Sequence, residues 1–175
     1  MMKKVLLHIC CGICAVYCIE KLRQESFQVG GLFFNPNIHP YPEYSKRKQA
    51  VEKVAETSGI MLEPSSYPIF DWLKIHQAYA AEKEGGLRCS SCYRMRLEQA
   101  RLVAAEKDYD YFTTTLTVSP HKNSELIFEI GKDIGGDKFL ALDFKKNDGF
   151  KKTLQAAKTL ELYRQDYCGC IYSRK

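Results

Sequence analysis

Short apolar segments alternate with longer segments of helical periodicity along the chain. The first apolar run, KKVLLHIC, is rich in leucine and β-branched residues, which is typical of a buried parallel strand, and AVYCIEKLRQES after it repeats apolar residues at helical spacing. Four further segments have strand character: QVGGLFFNPN, IMLEPSSY, YDYFTTTLTVSPHKN and KFLALDF. The alternation predicts an α/β fold with a mostly parallel sheet flanked by helices.

The other periodic segments predict the remaining helices: EYSKRKQAVEKVAETSG, FDWLKIHQAYAAEKEGG, CSSCYRMRLEQARLVAAEKD, SELIFEIGKDIGG and FKKTLQAAKTLELYRQDY. No repeat, low-complexity tract or linker separates these segments. Residues 1–175 are therefore expected to form a single α/β domain that ends in a Cys-Gly-Cys segment.

The cysteine content argues against a disulfide-stapled fold. A chain of 175 residues should bury roughly 70% of its unfolded surface, so its core needs no covalent support. Its 8 cysteines in 175 residues are under 5% of the chain. This share is below the roughly 8 to 10% that is typical of small secreted disulfide scaffolds. The thiols are therefore expected to serve chemistry.

The N-terminal sequence MMKKVLLHICCGICAVYC has the outline of a secretory signal, with two lysines before an apolar run. His8 and the cysteines interrupt that run, and charged residues end it too early for a membrane span: Glu20, Lys21 and Arg23. The sequence predicts a cytoplasmic protein without a membrane partner.

Functional sites of parallel α/β sheets lie at the carboxyl ends of the strands. Cys10 and Cys11 fall at that edge after the first predicted strand. Other polar or turn residues follow later strands: Asn35 and Pro36 after the second, Ser119 after the fourth and Asp143 after the fifth. For Pro36, ordinary turn chemistry is the favoured interpretation.

The cysteines form groups: Cys10-Cys11-x-x-Cys14, a lone Cys18, Cys89-x-x-Cys92 and Cys168-x-Cys170. A Cys-x-x-Cys pair that opens a helix can offer two thiolates to one metal, and the repeated groups favour a soft-metal site. Zinc has places for only four of the clustered cysteines, so we favour an iron-sulfur cluster over zinc. Cys18 has apolar neighbours and is expected to be a buried structural thiol.

Cys168 and Cys170 flank a single glycine near the chain end. Closely spaced thiols can form a strained, labile disulfide of the catalytic kind. The same pair could instead clip a metal. The sequence favours the redox interpretation and leaves the ligand interpretation open.

Five motifs together resemble the QueH family of epoxyqueuosine reductases, in the same order from residue 5 to the C-terminus: LLHICCGIC, FFNPNIHPYPEYSKR, RCSSCYRMRL, FTTTLTVSPHKN and YRQDYCGCIYS. The resemblance implies a Rossmann-like fold similar to the adenine nucleotide alpha-hydrolase type. It also implies a 4Fe-4S cluster and the reduction of epoxyqueuosine to queuosine, the last step in making that tRNA wobble base. The implied partners are tRNA carrying epoxyqueuosine and an electron donor that the sequence does not identify.

Carried over from the family, the cluster ligands are Cys10, Cys11, Cys89 and Cys92, and the redox dithiol is Cys168 with Cys170. Cys14 receives no role from the resemblance, although a second iron, held by leftover cysteines and a carboxylate, would be compatible with it. Opening an epoxide to an alkene with loss of water takes two electrons and two protons. The candidate proton donors are His8, His39, His121, Asp143 and Asp166.

The formal charge of +5 and a pI near 8.7 permit an RNA partner without requiring one. Basic clusters with nearby aromatics supply the candidate phosphate contacts: Lys46, Arg47, Arg94, Lys151 and Lys152. Two other functional classes remain open at this point. One is a zinc-stabilised RNA-binding module without catalysis, and the other is a thiol oxidoreductase or metal carrier acting on protein partners.

Overall fold

A computed structural model of the chain describes residues 2–174. The strands and helices are, in chain order, β1 (Lys4–His8), α1 (Gly12–Gln24), β2 (Gln28–Leu32), α2 (Tyr41–Ser58), β3 (Leu62–Glu63), α3 (Ile69–His76), α4 (Leu87–Glu106), β4 (Tyr111–Thr114), α5 (Ser124–Gly135) and α6 (Gly149–Thr159). Single 3-10 turns occur at Gln77–Tyr79, Thr115–Val118, Gly136–Lys138 and Ile171–Ser173. Across residues 2–174, no helix is long and apolar enough to cross a lipid bilayer.

The sheet has 4 strands in the order β3-β2-β1-β4, and every pair is parallel. β1 lies between β2 and β4, with His8 opposite both Leu32 and Thr114. The carboxyl ends of these three strands therefore meet at one edge of the sheet. The predicted α/β class with a parallel sheet is confirmed.

Alternation along β1 divides the core into two layers. Val5 and Leu7 pack with residues of α1, α2 and α6, whereas Leu6 packs with residues of α4 and α5 on the opposite face. Side chains of a strand point alternately to the two faces of its sheet, so a fully apolar strand needs helices on both sides. The apolar character of β1 thus fixes the three-layer arrangement.

The fifth predicted strand, KFLALDF, is wrong as a strand. Only Phe139 makes a parallel bridge, with Phe112 of β4. Beyond it, threonine hydroxyls replace the backbone ladder: Thr113 donates to the carbonyl of Leu140 at 2.8 Å, and Thr117 donates to the carbonyl of Leu142 at 2.7 Å. These side-chain bonds satisfy the carbonyls without extended pairing.

Two helices are also shorter than their periodicity predicts. The predicted helix after α3 does not continue to the glycine pair. Buried Arg88 instead donates to the backbone carbonyls of Tyr79, Ala80 and Glu82, which hold this segment in a non-helical path. α6 ends at Thr159 rather than continuing through the predicted YRQDY. We call residues 160–174, which follow it, the C-terminal segment.

The glycine of the CCGIC motif is a packing residue. A Cβ placed on Gly12 would lie 2.7 Å from the carbonyl oxygen of Ala50 and 2.9 Å from its Cβ. Gly12 therefore lets α2 approach the first turn of α1, immediately beside the cysteines.

We predict that Gly12→Ala lowers the free energy of unfolding by about 1–3 kcal/mol, because the added methyl overpacks the contact between α1 and α2. Denaturant unfolding followed by circular dichroism measures the change. Gln49→Ala, at an exposed position of α2, is the control and should leave the midpoint in place. An unchanged midpoint for Gly12→Ala would show that α1 and α2 can move apart to accept the methyl group without loss of stability.

Candidate metal centre and its cleft

The three cysteines after β1 form a compact sulfur group. Cys10 follows the strand, and Cys11 and Cys14 belong to the start of α1; their Sγ atoms all lie within 4.8 Å of one another. The Sγ atoms of Cys10 and Cys11 are 3.7 Å apart. A tetrahedral metal with metal–sulfur bonds of about 2.3 Å needs its sulfurs about 3.8 Å apart, so the spacing suits metal ligation. The structure thus places Cys14, which sequence analysis left without a role, beside Cys10 and Cys11.

The charge of this group is concentrated on Cys10. Hydrogen bonds from the thiols of Cys11 and Cys14 hold the pKa of Cys10 well below its ordinary value. Burial raises the pKa of Cys11 to about 12, and the bond to Cys10 raises that of Cys14. The Thr115 hydroxyl also donates to Cys10 Sγ at 3.2 Å. The environment therefore supports a thiolate at Cys10, the form that binds metals.

The other cysteine pairs surround a small cavity of about 30 Å³, which we call the second cavity. Cys89 and Cys92 lie in the first turns of α4, and Cys168 and Cys170 face them from the C-terminal segment. One face of α4 lines this cavity, at helical spacing: Arg88, Cys89, Cys92, Tyr93 and Arg96. The structure thereby confirms that α4 presents both cysteines of the pair on one side.

The second cavity lies beside a wide cleft of about 1420 Å³ that contains Cys10 and Cys14. Four residues line both spaces: Glu84, Arg96, Lys122 and Cys168. Cys10 and Cys89 also pack against the same apolar core. Among the described residues, only the Cys10, Cys11 and Cys14 group has three ligand atoms within 4.8 Å. The predicted ligands therefore lie on neighbouring walls rather than in one tight group, and the ligand set stays a prediction.

The surroundings of the sulfurs suit thiolates bound to a soft metal. The backbone N–H of Gly85 donates to Cys89 Sγ at 3.2 Å, and the side-chain hydroxyl of Thr115 donates to Cys10 Sγ at the same distance. Arg96 is buried, and no carboxylate of residues 2–174 lies within 4.0 Å of its guanidinium, whose Nη2 donates to Asn35. A buried positive charge without a carboxylate favours anions nearby. Donors, charge and sulfur ligands thus fit an iron-sulfur cluster or a single iron.

The candidate proton donors occupy different environments. His8 is fully buried between the Thr114 hydroxyl and the Phe34 carbonyl, and burial lowers its pKa to about 3. Asp143 accepts from the backbone N–H of Lys145 in a turn. His121 and Asp166 line the cleft. The geometry therefore favours these last two as proton donors.

His39 and Cys18 lie away from the cleft. The His39 ring packs against Trp72 with ring centroids 5.3 Å apart, and burial lowers its pKa. Cys18 is fully buried in the core under α1, as the sequence predicts.

Arg47 lines the wide cleft, but most of its side chain is buried. The side chain is 2% exposed and pairs with Glu43 at 2.6 Å. Its two terminal nitrogens donate to the backbone of the C-terminal segment, at 3.0 Å to the Tyr167 carbonyl and 3.2 Å to the Cys168 carbonyl. These donors hold the segment that carries Cys168, and the role of Arg47 in phosphate binding stays a prediction.

Other basic residues lie around the cleft. Lys46 lines the cleft as predicted, whereas Arg94 points away and pairs with Asp133 at 2.8 Å. Lys151 and Lys152 are exposed on α6. Sequence analysis missed three basic residues that line the cleft: Lys122, Arg164 and Arg174. Lys122 and Arg164 stand outside any basic run, so only the fold reveals them, whereas Arg174 adjoins Lys175.

Residues 5–175 match the family model described as epoxyqueuosine reductase QueH. The chain belongs to the QueH family. It is 36% identical to the epoxyqueuosine reductase QueH of Staphylococcus epidermidis, covering 97% of this chain and 76% of that protein. It is also 36% identical to the QueH of Thermotoga maritima, covering 98% of this chain and 91% of that protein.

The fold of this QueH chain is similar to that of a solved tRNA-modifying protein, the U34-tRNA thiolase NcsA from Methanococcus maripaludis with its [4Fe-4S] cluster. The TM-score is 0.60 at 17% identity, and the match covers 99% of this chain and 62% of that one. This likeness supports the predicted adenine nucleotide alpha-hydrolase-like fold.

For this QueH chain we predict that Arg47→Ala loosens the C-terminal segment. Loss of about 1.4 kcal/mol from the hydrogen bonds to Tyr167 and Cys168 corresponds to about tenfold faster local opening. Amide hydrogen exchange of residues 163–172 measures this directly. Lys48→Ala, the exposed neighbour on α2, is the control. Unchanged exchange in Arg47→Ala would mean that other contacts hold the segment.

Proposed function

We propose that this chain reduces epoxyqueuosine to queuosine at the wobble position of tRNA in the cytoplasm. The observation that carries the proposal is the pair of adjoining spaces, the cleft and the second cavity, whose walls together carry three cysteine groups in a chain of the QueH family. The sheet, its helices and the C-terminal segment act together as a single metalloenzyme domain.

The proposed ligands of a 4Fe-4S cluster are Cys10, Cys11, Cys89 and Cys92. The hydrogen bonds to Cys10 and Cys89 support this assignment, as does the position of Arg96 on the wall shared by both cavities. Cys14 adds a third sulfur beside Cys10 and is available to an additional iron. Bound there, such a cluster supplies electrons to the substrate one at a time.

Cys168 and Cys170 are the proposed redox dithiol. A hydrogen bond from Cys170 lowers the pKa of Cys168 to about 5, and the same bond raises that of Cys170. One sulfur is therefore a thiolate at neutral pH while the other holds a proton. Oxidation of this thiol–thiolate pair to a disulfide releases two electrons and one proton. Epoxide opening to an alkene and water consumes two electrons and two protons, so the second proton has to come from another donor, for which His121 and Asp166 of the cleft are the candidates. An external electron donor then restores the dithiol.

Gly169 allows this pair to face the cavity. Its φ of +100° lies in a region that L side chains rarely adopt, and a Cβ there would lie 2.8 Å from Ile38 Cγ1. Any larger residue would displace one of the two sulfurs. The glycine between the two cysteines therefore provides the backbone conformation that the proposed dithiol needs.

The cleft is the proposed tRNA site. Its basic side chains lie on opposite walls, from α2 to the C-terminal segment: Lys46, Lys122, Arg164 and Arg174. Glu43, an acidic residue of the same cleft, is already neutralised by Arg47 and Tyr163. A phosphate backbone entering between these walls would bring one nucleotide to the cysteines.

We predict that serine at Cys10, Cys11, Cys89 or Cys92 lowers the iron and sulfide content, because serine replaces a soft thiolate poorly. Cys168→Ser and Cys170→Ser should keep the cluster but fail to convert epoxyqueuosine. Metal analysis of anaerobically purified protein and mass analysis of the digested tRNA measure the two effects. Cys18→Ala is the matched control and should keep both.

A full cluster in two of the four ligand variants would contradict the ligand set. Loss of iron in Cys168→Ser or Cys170→Ser would make that pair ligands. Zinc without iron in the unaltered protein would instead support the RNA-binding module without catalysis.

We predict that removing charge from the cleft weakens tRNA binding and flattens its salt dependence. The slope of log affinity against log salt is negative. Neutralising any one of the side chains that bind phosphate should reduce its magnitude by about 0.7–0.9. Glutamine variants of Lys46, Lys122, Arg164 and Arg174 test the cleft, and a second set at Arg94, Lys151 and Lys152 tests the remaining predicted contacts. Lys107→Gln, at the opposite end of α4, is the control. Unchanged slopes in both sets would place the tRNA elsewhere.

A further inference from the structure

Trp72 is the single tryptophan of the chain and lies at the wall of the second cavity. It belongs to α3, which packs against α4, and its side chain is 0% exposed. In this position it contacts Cys92 and Cys170 in a small apolar cluster. The indole therefore touches a proposed cluster ligand from outside the ligand set.

The indole N–H of Trp72 is buried and has no hydrogen-bond partner among the described residues. Buried polar groups are nearly always hydrogen-bonded, because an unpaired donor loses its bonds to water without replacement. Phenylalanine would serve a purely apolar purpose here without that loss. The N–H consequently calls for an acceptor within the cavity.

The Cys92 sulfur, which packs against Trp72 in the same buried cluster, can become that acceptor. Both residues line the second cavity together with the buried guanidinium of Arg96, whose positive charge favours a thiolate there. A neutral thiol accepts hydrogen bonds weakly, whereas a thiolate bound to a metal carries negative charge and accepts them well. The donor thus matches the ligand form of Cys92.

Neighbouring rings fix the orientation of the indole. His76 stacks on Trp72 with centroids 4.4 Å apart and planes 12° from parallel, and Tyr172 stacks at 6.1 Å. His76 Nδ1 lies 2.7 Å from the Trp72 carbonyl, which ties the His76 ring to the backbone of α3. The indole between these rings has little freedom to turn its N–H elsewhere.

We propose that Trp72 is a positioning residue that donates its indole N–H to the Cys92 thiolate and thereby raises the reduction potential of the bound cluster. The inference rests on the proposed function, since it requires Cys92 to be a ligand. A hydrogen bond to a ligand sulfur withdraws negative charge from the metal, and the reduced state, which carries one more electron, gains most from it.

The test is a redox titration of the cluster-loaded Trp72→Phe protein, followed by electron paramagnetic resonance. Phenylalanine keeps an aromatic ring but removes the N–H, so the potential should shift to more negative values while the iron and sulfide content is unchanged. Phe70→Leu is the matched control, because Phe70 lies on the same helix with 81% of its surface exposed. An unchanged potential in Trp72→Phe would overturn the proposal.

A second replacement decides the matter if Trp72→Phe fails to fold. Because the chain has a single tryptophan, biosynthetic incorporation of β-(3-benzothienyl)alanine replaces only this residue. The analogue has nearly the shape of tryptophan, with sulfur in place of the N–H. The same negative shift is expected, and the parent potential would again overturn the proposal.

Cys92→Ser separates this inference from the proposed function. If Cys92→Ser loses the cluster and Trp72→Phe keeps the parent potential, the ligand assignment stands and only the role of Trp72 fails. If Cys92→Ser keeps an unaltered cluster, the ligand assignment fails, and the proposed hydrogen bond fails with it.

Discussion

The pairing of β1 with both β2 and β4 determines where the functional side chains lie. Because all three strands run in parallel, their last residues reach the same edge, and Cys10 emerges beside Thr115. The side chain of Asn35, which follows β2, donates to the Ile9 carbonyl at 2.8 Å and accepts from Arg96. One polar network thus joins the strand ends to α4, and through α4 to the second pair of cysteines.

The sequence contained most of the fold because buried strands and helices leave periodic patterns. β1 and α4 are recognisable from composition alone. The fifth strand failed because Thr113 and Thr117 replace a backbone ladder with hydroxyl bonds, which periodicity cannot reveal. α6 ends early at a left-handed residue, Glu161 with a φ of +50°, and the Lys53 side chain of α2 donates to the Leu160 carbonyl at 2.7 Å.

The candidate site, like the fold, could be predicted only in part from the sequence. Cysteine spacing identified each sulfur group, since adjacent positions on one element are a local property. The relation between groups is tertiary, so the sequence could neither bring the Cys10 group beside the Cys89 pair nor show that Arg47 is buried. The i, i+4 spacing from Arg88 through Cys92 to Arg96 was a usable signal for one helix face. Trp72 offered no such signal, because its partner lies on another helix.

The C-terminal segment is held through its main chain. Arg47 and Asn37 donate to the Cys168 carbonyl, and the His39 backbone N–H donates to the Gly169 carbonyl. These contacts are made to backbone carbonyls, so they do not depend on the identity of the side chains of the segment. Exposed side chains of this segment, such as Ile171, could therefore be exchanged by natural variation or engineering while the two sulfurs keep their place. The attachment separates the position of the sulfurs from the chemistry of the surface around them.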